Sequence, residues 1–244
     1  YCDLSNTADL TGTTIKADAA VAVYSGHNCV FVPFDKWACD HLEEAIFPTS
    51  AMGKRYIGSH TISSGKDPSL YRVVSASGEN IISFDQAVHP TKKLGGGEWF
   101  EFTSTQDFEV KGTGRFALVK FMVGQNYSNT KPGAGTPGDP AMALAVPVEQ
   151  YRTSYYFLAP ASYEKNYVNI HAPSTANVKL DGQAIEAGKF QQVNATSGMK
   201  VAKVQISGGS HFIESTSKTG ITVYGVGSYT SYMYPGGLDL KSLK

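Results

Sequence analysis

The sequence is short of charge, of cysteine and of every common catalytic signature, and each shortage removes a class of function. Charged residues make up 17% of its 244 positions, against about a quarter in ordinary soluble domains. Lys plus Arg and Asp plus Glu number 21 each, so the formal net charge is zero. With no basic block to neutralise phosphates, nucleic acid and anionic membranes are poor partners. No apolar run approaches the ~18 residues that a membrane-spanning helix needs, so membrane insertion is not expected. G-x-S-x-G, H-E-x-x-H, C-x-x-C and the phosphate-binding P-loop are all missing. No enzyme activity, cofactor or resident metal is therefore expected.

Two look-alikes reduce to turns. Gly133-Ala-Gly135-Thr-Pro-Gly138 matches G-x-G-x-x-G in letters. It follows no strand signal and contains Pro137, so it reads as a loop. Ser210-His211 sets a hydroxyl beside an imidazole, but no carboxylate is placed by sequence, and a hairpin turn into Phe212-Ile213 is the simpler reading.

What is present is strand signal. The 41% hydrophobic fraction fills a core and is too high for a disordered chain. Its periodicity is mostly two, as in Tyr71–Val74, Asn80–Phe84, Tyr167–Ile170 and Ile221–Tyr224, bounded by Gly, Pro, Asn and Ser. One short helix is predicted, over Asp40–Ile46, with Asp40 as its N-cap.

The halves resemble each other in order. Asp40/Asp139, Pro48/Pro147 and Tyr56/Tyr155 all stand 99 positions apart, while Tyr71/Tyr167 and Ile82/Val178 stand 96 apart. Gly97–Phe100 is matched with Gly188–Gln191, and Val21–Gly26 with both Val119–Gly124 and Ile221–Gly225. A unit of about 97 residues built from short strands has the size of a β-sandwich. The expected fold is all-β, with two tandem sandwich-like units at 1–106 and 107–244. The extra copy at Ile221 allows strand exchange between them. Asp40 and Asp139 read as turn caps, with a cation site or catalytic carboxylates as the alternatives.

The cysteines are Cys2, Cys29 and Cys39. Cys29 and Cys39 flank a loop carrying Pro33, Phe34 and Trp37 and could close a disulfide. His27-Asn-Cys29 and Cys39-Asp-His41 could instead offer two imidazoles and two thiolates to zinc, or the thiols could be free. Cys2 is left over. The chain begins at Tyr1 without an initiator Met and reads as an excised or mature piece of a longer polypeptide.

Candidate binding residues come from loops and aromatics. Asn126–Pro140 exceeds normal hairpin loops, and it interrupts the second half where the first carries the Cys29–Cys39 loop. Trp37 on the first of these loops, Phe34–Trp37, and Tyr127 on the second are the expected anchors, although Trp37 could simply pack over the bridge. Tyr229, Tyr232 and Tyr234 form a tyrosine-rich end suited to sugar or protein recognition. Asn126-Tyr-Ser128 and Asn194-Ala-Thr196 are glycosylation sequons, meaningful in a eukaryotic secretory route.

Taken together, Leu10–Thr13, Val21–Cys29, Ala38–Glu44, Gly97–Phe102, Gly138–Met142, Pro147 with Glu149–Tyr151, Asn166–Val168, Gly220–Gly225 and Tyr234–Gly237 resemble the IgGFc-binding protein N-terminal domain family across residues 10–240. The resemblance implies an extracellular domain of large modular proteins with no catalytic residue. Its paired cysteines match Cys29 and Cys39 and imply that these two are bonded. Mucin-type proteins that carry von Willebrand D domains can self-cleave at Gly-Asp-Pro-His; here Ala141 holds the fourth position, so Gly138-Asp-Pro does not carry that activity over. The expected role is a secreted or cell-surface binding or adhesion module, part of a longer polypeptide. Its ligand would be a protein or glycan on another surface. The alternative is a carbohydrate-binding, lectin-like domain.

Overall fold

The computed structural model of the chain describes residues 9–62, 67–127 and 138–239. Cys2 and most of the Asn126–Pro140 loop, including nearly all of the glycine-rich look-alike, lie outside them. The fold is all-β, in antiparallel sheets.

A hairpin of β1 (Tyr24–Phe31) and β2 (Cys39–Ala45) comes first. The segment expected to be helical, Asp40–Ile46, is thus mostly strand. Its helix-forming Leu, Glu and Ala yield to pairing with β1, in which Leu42 faces His27 and is buried. Tertiary pairing overrides a weak local propensity.

Eight strands follow: β3 (Arg55–Gly58), β4 (Ser69–Ser75), β5 (Asn80–Phe84), β6 (Lys92–Leu94), β7 (Trp99–Ser104), β8 (Phe108–Gly112), β9 (Phe116–Met122) and β10 (Ala141–Leu144). They pair as β3-β8-β5-β6 and β10-β9-β4-β7. Between the two layers lies one core of Tyr56, Tyr71, Val73, Ile82, Phe100, Phe102, Phe108, Val110, Phe116 and Leu118. The β1–β2 hairpin packs on the outside of this sandwich, through Val32 and Leu42 against Leu70, Phe121 and Val123.

Eight more follow: β11 (Arg152–Ala159), β12 (Lys165–Pro173), β13 (Val178–Leu180), β14 (Gln183–Ala184), β15 (Phe190–Gln192), β16 (Met199–Ile206), β17 (Gly209–Gly227) and β18 (Thr230–Pro235). β17 is long enough to serve two layers. Its first part pairs with β11 and β13, and its second part with β12 and β18. The layers β11-β17-β13-β14 and β18-β17-β12-β16-β15 enclose a second core, with Tyr155, Val168, Ile170, Val178, Ile213, Ile221 and Val223.

With the two parts of β17 standing for β8 and β9, the sandwiches share an order of eight strands, to which the second adds β15 at one edge. Tyr56 lies opposite Val110, and Tyr155 opposite Ile213. Each tyrosine makes the same pair of bonds. The Tyr56 hydroxyl accepts from Gly53 N–H at 3.1 Å and donates to Phe116 O at 2.6 Å. The Tyr155 hydroxyl accepts from Arg152 N–H at 3.0 Å and donates to Thr219 O at 2.5 Å. Burial raises both phenols, Tyr155 to about 12. Tyr56→Phe and Tyr155→Phe should each cost about 1–3 kcal/mol, because each strands a buried N–H and a carbonyl; urea unfolding of the single and double variants measures this. Other sequence matches fall elsewhere. Gly188–Gln191 lies in a 3-10 turn and β15, not in β16, the strand that occupies the place of β7.

The sandwiches meet across a mixed seam. Ile57, Val146, Tyr151, Val193, Met199 and Val201 form an apolar cluster there. Ser59, Asn169 and His171 bond across it, with Asn169 Nδ2 donating to Ser59 Oγ at 2.9 Å and His171 Nε2 lying 2.7 Å from the same oxygen.

Candidate functional site

The exposed aromatic loops sit where three hairpins end. β1 and β2 are joined by residues 32–38 and clamped at their base by the Cys29–Cys39 disulfide, with Cα atoms 5.0 Å apart. The zinc alternative fails with that bond. His27 Nδ1 accepts from Cys29 N–H, and His41 Nε2 faces Glu43 at 3.4 Å. Among the described residues, no group of three or more His, Cys, Asp or Glu could hold a metal ion.

The clamp holds Trp37 outward. The residue is 77% exposed, its ring lies obliquely against Phe31 at 5.6 Å, and Phe34 beside it is also exposed. Tyr127 is half-buried against the hairpin's apolar underside. Lys36, from the Trp37 loop, lies over its ring at 5.9 Å. The two expected anchors therefore belong to one loop cluster. Gly124 makes the approach possible. Its N–H donates to Val32 O at 2.8 Å, and a Cβ there would stand 3.2 Å from Ala38.

The third hairpin joins through Gly138 and Asp139. Gly138 N–H donates to Gly227 O at 2.9 Å, and Asp139 N–H to Ser231 Oγ at 2.8 Å. Tyr229, at the β17–β18 tip, adopts a φ of 54° and is largely exposed. Tyr232 and Tyr234 are committed elsewhere. The Tyr232 hydroxyl donates to Asn166 Oδ1 at 2.7 Å with its ring against Tyr163, and Tyr234 donates to Leu158 O at 2.6 Å. Burial raises both phenols, and their rings pack on the second core.

Asp40 and Asp139 do not cap equivalent turns. Asp40 lies within β2 and Asp139 just ahead of β10, and their charges face each other. Burial first, and Asp40 second, push the Asp139 carboxyl up to about 7. The Gln125 amide nitrogen donates to its Oδ1 at 3.0 Å. The folded chain thus holds this proton more tightly than the unfolded one, and the contribution of Asp139 to stability falls as pH rises from about 4 to about 7. Asp139→Asn removes the titration. It should gain on wild type across that window by roughly 1–3 kcal/mol, read from urea midpoints at several pH values.

Ser210-His211 does find a carboxylate. His211 Nδ1 lies 2.7 Å from Asp181 Oδ2, but Nε2 points at the carbonyl of Ser207, 3.0 Å away. Both ring nitrogens face acceptors, so neither is turned toward a nucleophile. The pair fastens the Asp181-Gly182 turn to β17, as does Phe212 N–H donating to Asp181 Oδ1.

Sequence reasoning missed the buried polar groups of the seam. Lys120, on β9, is fully enclosed and points over the Tyr224 ring at 5.5 Å. Its ammonium has no hydrogen-bond partner among the described residues. The signal was available, because Lys120 sits on the inward parity of Phe116, Leu118 and Met122.

The family model described as "IgGFc binding protein" matches residues 1–225. A human relative, "IgGFc-binding protein", is 22% identical over 232 residues, covering 94% of this chain. The chain spans 4% of that relative's length. Two solved structures align loosely. An anti-sigma factor domain-containing protein has a TM-score of 0.21 and 8% identity, covering 75% of this chain and 82% of its own. The Pleurotus ostreatus lectin in its apo form has a TM-score of 0.22 and 7% identity, covering 93% and 84%.

Proposed function

The chain belongs to the IgGFc-binding protein family, and from that footing we propose that it is an extracellular, non-enzymatic binding or adhesion module of a larger secreted or surface protein. Its two working units are the sandwiches at 55–144 and 152–235, since strands on either side of residue 106 pair with each other. The observation that carries the reading is Trp37. A large aromatic held 77% exposed on a disulfide-clamped tip has no part in the core, and anchors of this kind dominate recognition surfaces. The ligand is met by the loops at Phe34–Trp37 and Asn126–Pro140, with Tyr229 at their flank. An exposed Trp face also suits the C–H faces of a sugar ring, which supports the lectin-like alternative.

Trp37→Ala and Tyr127→Ala are tested on a glycan array and on immobilised immunoglobulin. Trp37→Ala should leave the fold untouched by circular dichroism and weaken binding at least tenfold, as loss of an anchor does. Binding that is unchanged in the folded variants removes this surface. Signal on the array alone selects the sugar; signal on a protein alone selects the adhesion reading.

A further inference from the structure

The face by which the first sandwich holds the second has a counterpart on the second sandwich, and that counterpart is open. Ile57 follows the bonded Tyr56 on β3 and points out of the core, opposite Glu109 of β8. Both are buried, Ile57 to 2% exposure, because the start of β16 and the loop before it lie on them. Arg55 Nη2 donates to Ser197 O at 2.7 Å there, and Gln86 reaches Val193 O. Tyr156 follows Tyr155 on β11 in the same way and lies opposite Phe212 of β17. Here nothing covers the face among the described residues. Tyr156 is 84% exposed and Leu158 58%, and the Tyr156 and Phe212 rings lie 4.3 Å apart. The Lys179–Glu214 ion pair edges the patch at 3.0 Å. Exposed aromatic and aliphatic groups grouped on one rigid sheet face, with a charged rim, have the anatomy of an interface.

We propose that this face docks a second copy of the chain, head to tail. The contact inside the chain points to the occupant. What covers Ile57 is a sandwich, presented by the start of β16. The strand in the place of β16 in the first sandwich is β7, whose start forms, with β6, a shallow groove lined by Leu94 and Trp99 and rimmed by Lys92, Lys93 and Glu98. A second copy therefore brings to the Tyr156 face the counterpart of the surface that covers the Ile57 face within the chain. Face and groove are different surfaces, so the contact does not close on a two-fold axis and propagates as an open chain.

Sedimentation velocity of the full chain from about 5 to about 500 µM tests it, a range that covers the weak affinities of modular contacts. Cys2→Ser is included to exclude thiol-linked species. The average mass should climb with concentration and pass that of a dimer. Tyr156→Ser with Leu158→Ser, both exposed and so neutral for folding, should remain monomeric throughout, with an unchanged unfolding midpoint. A mass that stays monomeric in the parent overturns the proposal, as does growth that stops at a dimer or that persists in the double variant. A flat mass together with glycan-array signal lost in Tyr156→Ser hands the face to a sugar and overturns it equally. The sedimentation results do not bear on the Trp37 loops.

Discussion

Lys120→Met is expected to make the protein more stable, by about 1–4 kcal/mol, the range seen when buried charges are replaced by packed apolar groups. Burial, with the repulsion of Lys203 behind it and against the attraction of Asp107, pulls the Lys120 amine down to about 7. The unfolded chain keeps an ordinary lysine near 10.4. Between those values the unfolded state binds more protons, so wild-type stability rises with pH through that window. Below about 7 the folded chain carries the full cost of an enclosed ammonium, offset by the Tyr224 face and the attraction of Asp107. The advantage of Met should be largest at pH 7 and below, and should shrink toward pH 10. Differential scanning calorimetry at pH 6, 8 and 10 reads it as a midpoint raised by roughly 2–4 °C per kcal/mol. A lower midpoint at pH 6 would mean that the ammonium contributes more across the seam than its burial costs.

The second large effect is at the acid end of the same seam. Burial, with Lys120 and Lys203 nearby, pulls His171 down to about 3 and His60 to about 4, the latter partly opposed by Asp107. The unfolded imidazoles titrate near 6.5. Below that value the unfolded chain takes up protons that the folded chain refuses, so this contribution is lost as pH falls from about 6.5 toward 4. Asp139 titrates in the opposite sense, so the test is a difference. The stability of wild type relative to His60→Gln/His171→Gln should fall by several kcal/mol between about pH 7 and about pH 4. At pH 7 wild type should lead, through the bond of His171 to Ser59 Oγ. A difference that stays constant with pH would sink the argument.

The parts of the fold legible in the sequence were those written in local alternation. Tyr71–Val74, Asn80–Phe84, Tyr167–Ile170 and Ile221–Tyr224 alternate and are strands. Cys29 and Cys39 were close enough to suggest a bond, and the family resemblance chose it over zinc. The pairing of Tyr56 with Tyr155 led to the same bonds in both sandwiches. What was hidden depends on partners distant in the chain. Residues 40–45 carry helix formers, and only the strand across from them makes them extended. Tyr232 and Tyr234 looked like free recognition groups, yet Asn166 and Leu158, some 70 positions earlier, hold their hydroxyls. The seam is subtler still. An inward lysine reads as an exception within one strand, and its meaning appears only when the second sandwich closes over it.

β17 gives the two sandwiches different mechanical characters. In the first, β8 ends at Gly112 and β9 begins at Phe116, so a three-residue turn at 113–115 outside the ladders links its layers. In the second, one continuous strand is hydrogen-bonded into both layers, its register shifting between Glu214 and Thr219 where it passes from one to the other. Tension along that strand is therefore shared by both ladders at once, and neither can peel away without loading the other. The second sandwich should open as one cooperative unit, while the first has a point at which its layers can part in sequence. A module strung in a longer polypeptide would then yield from its β3–β10 half first, with the β11–β18 half acting as the stiffer link.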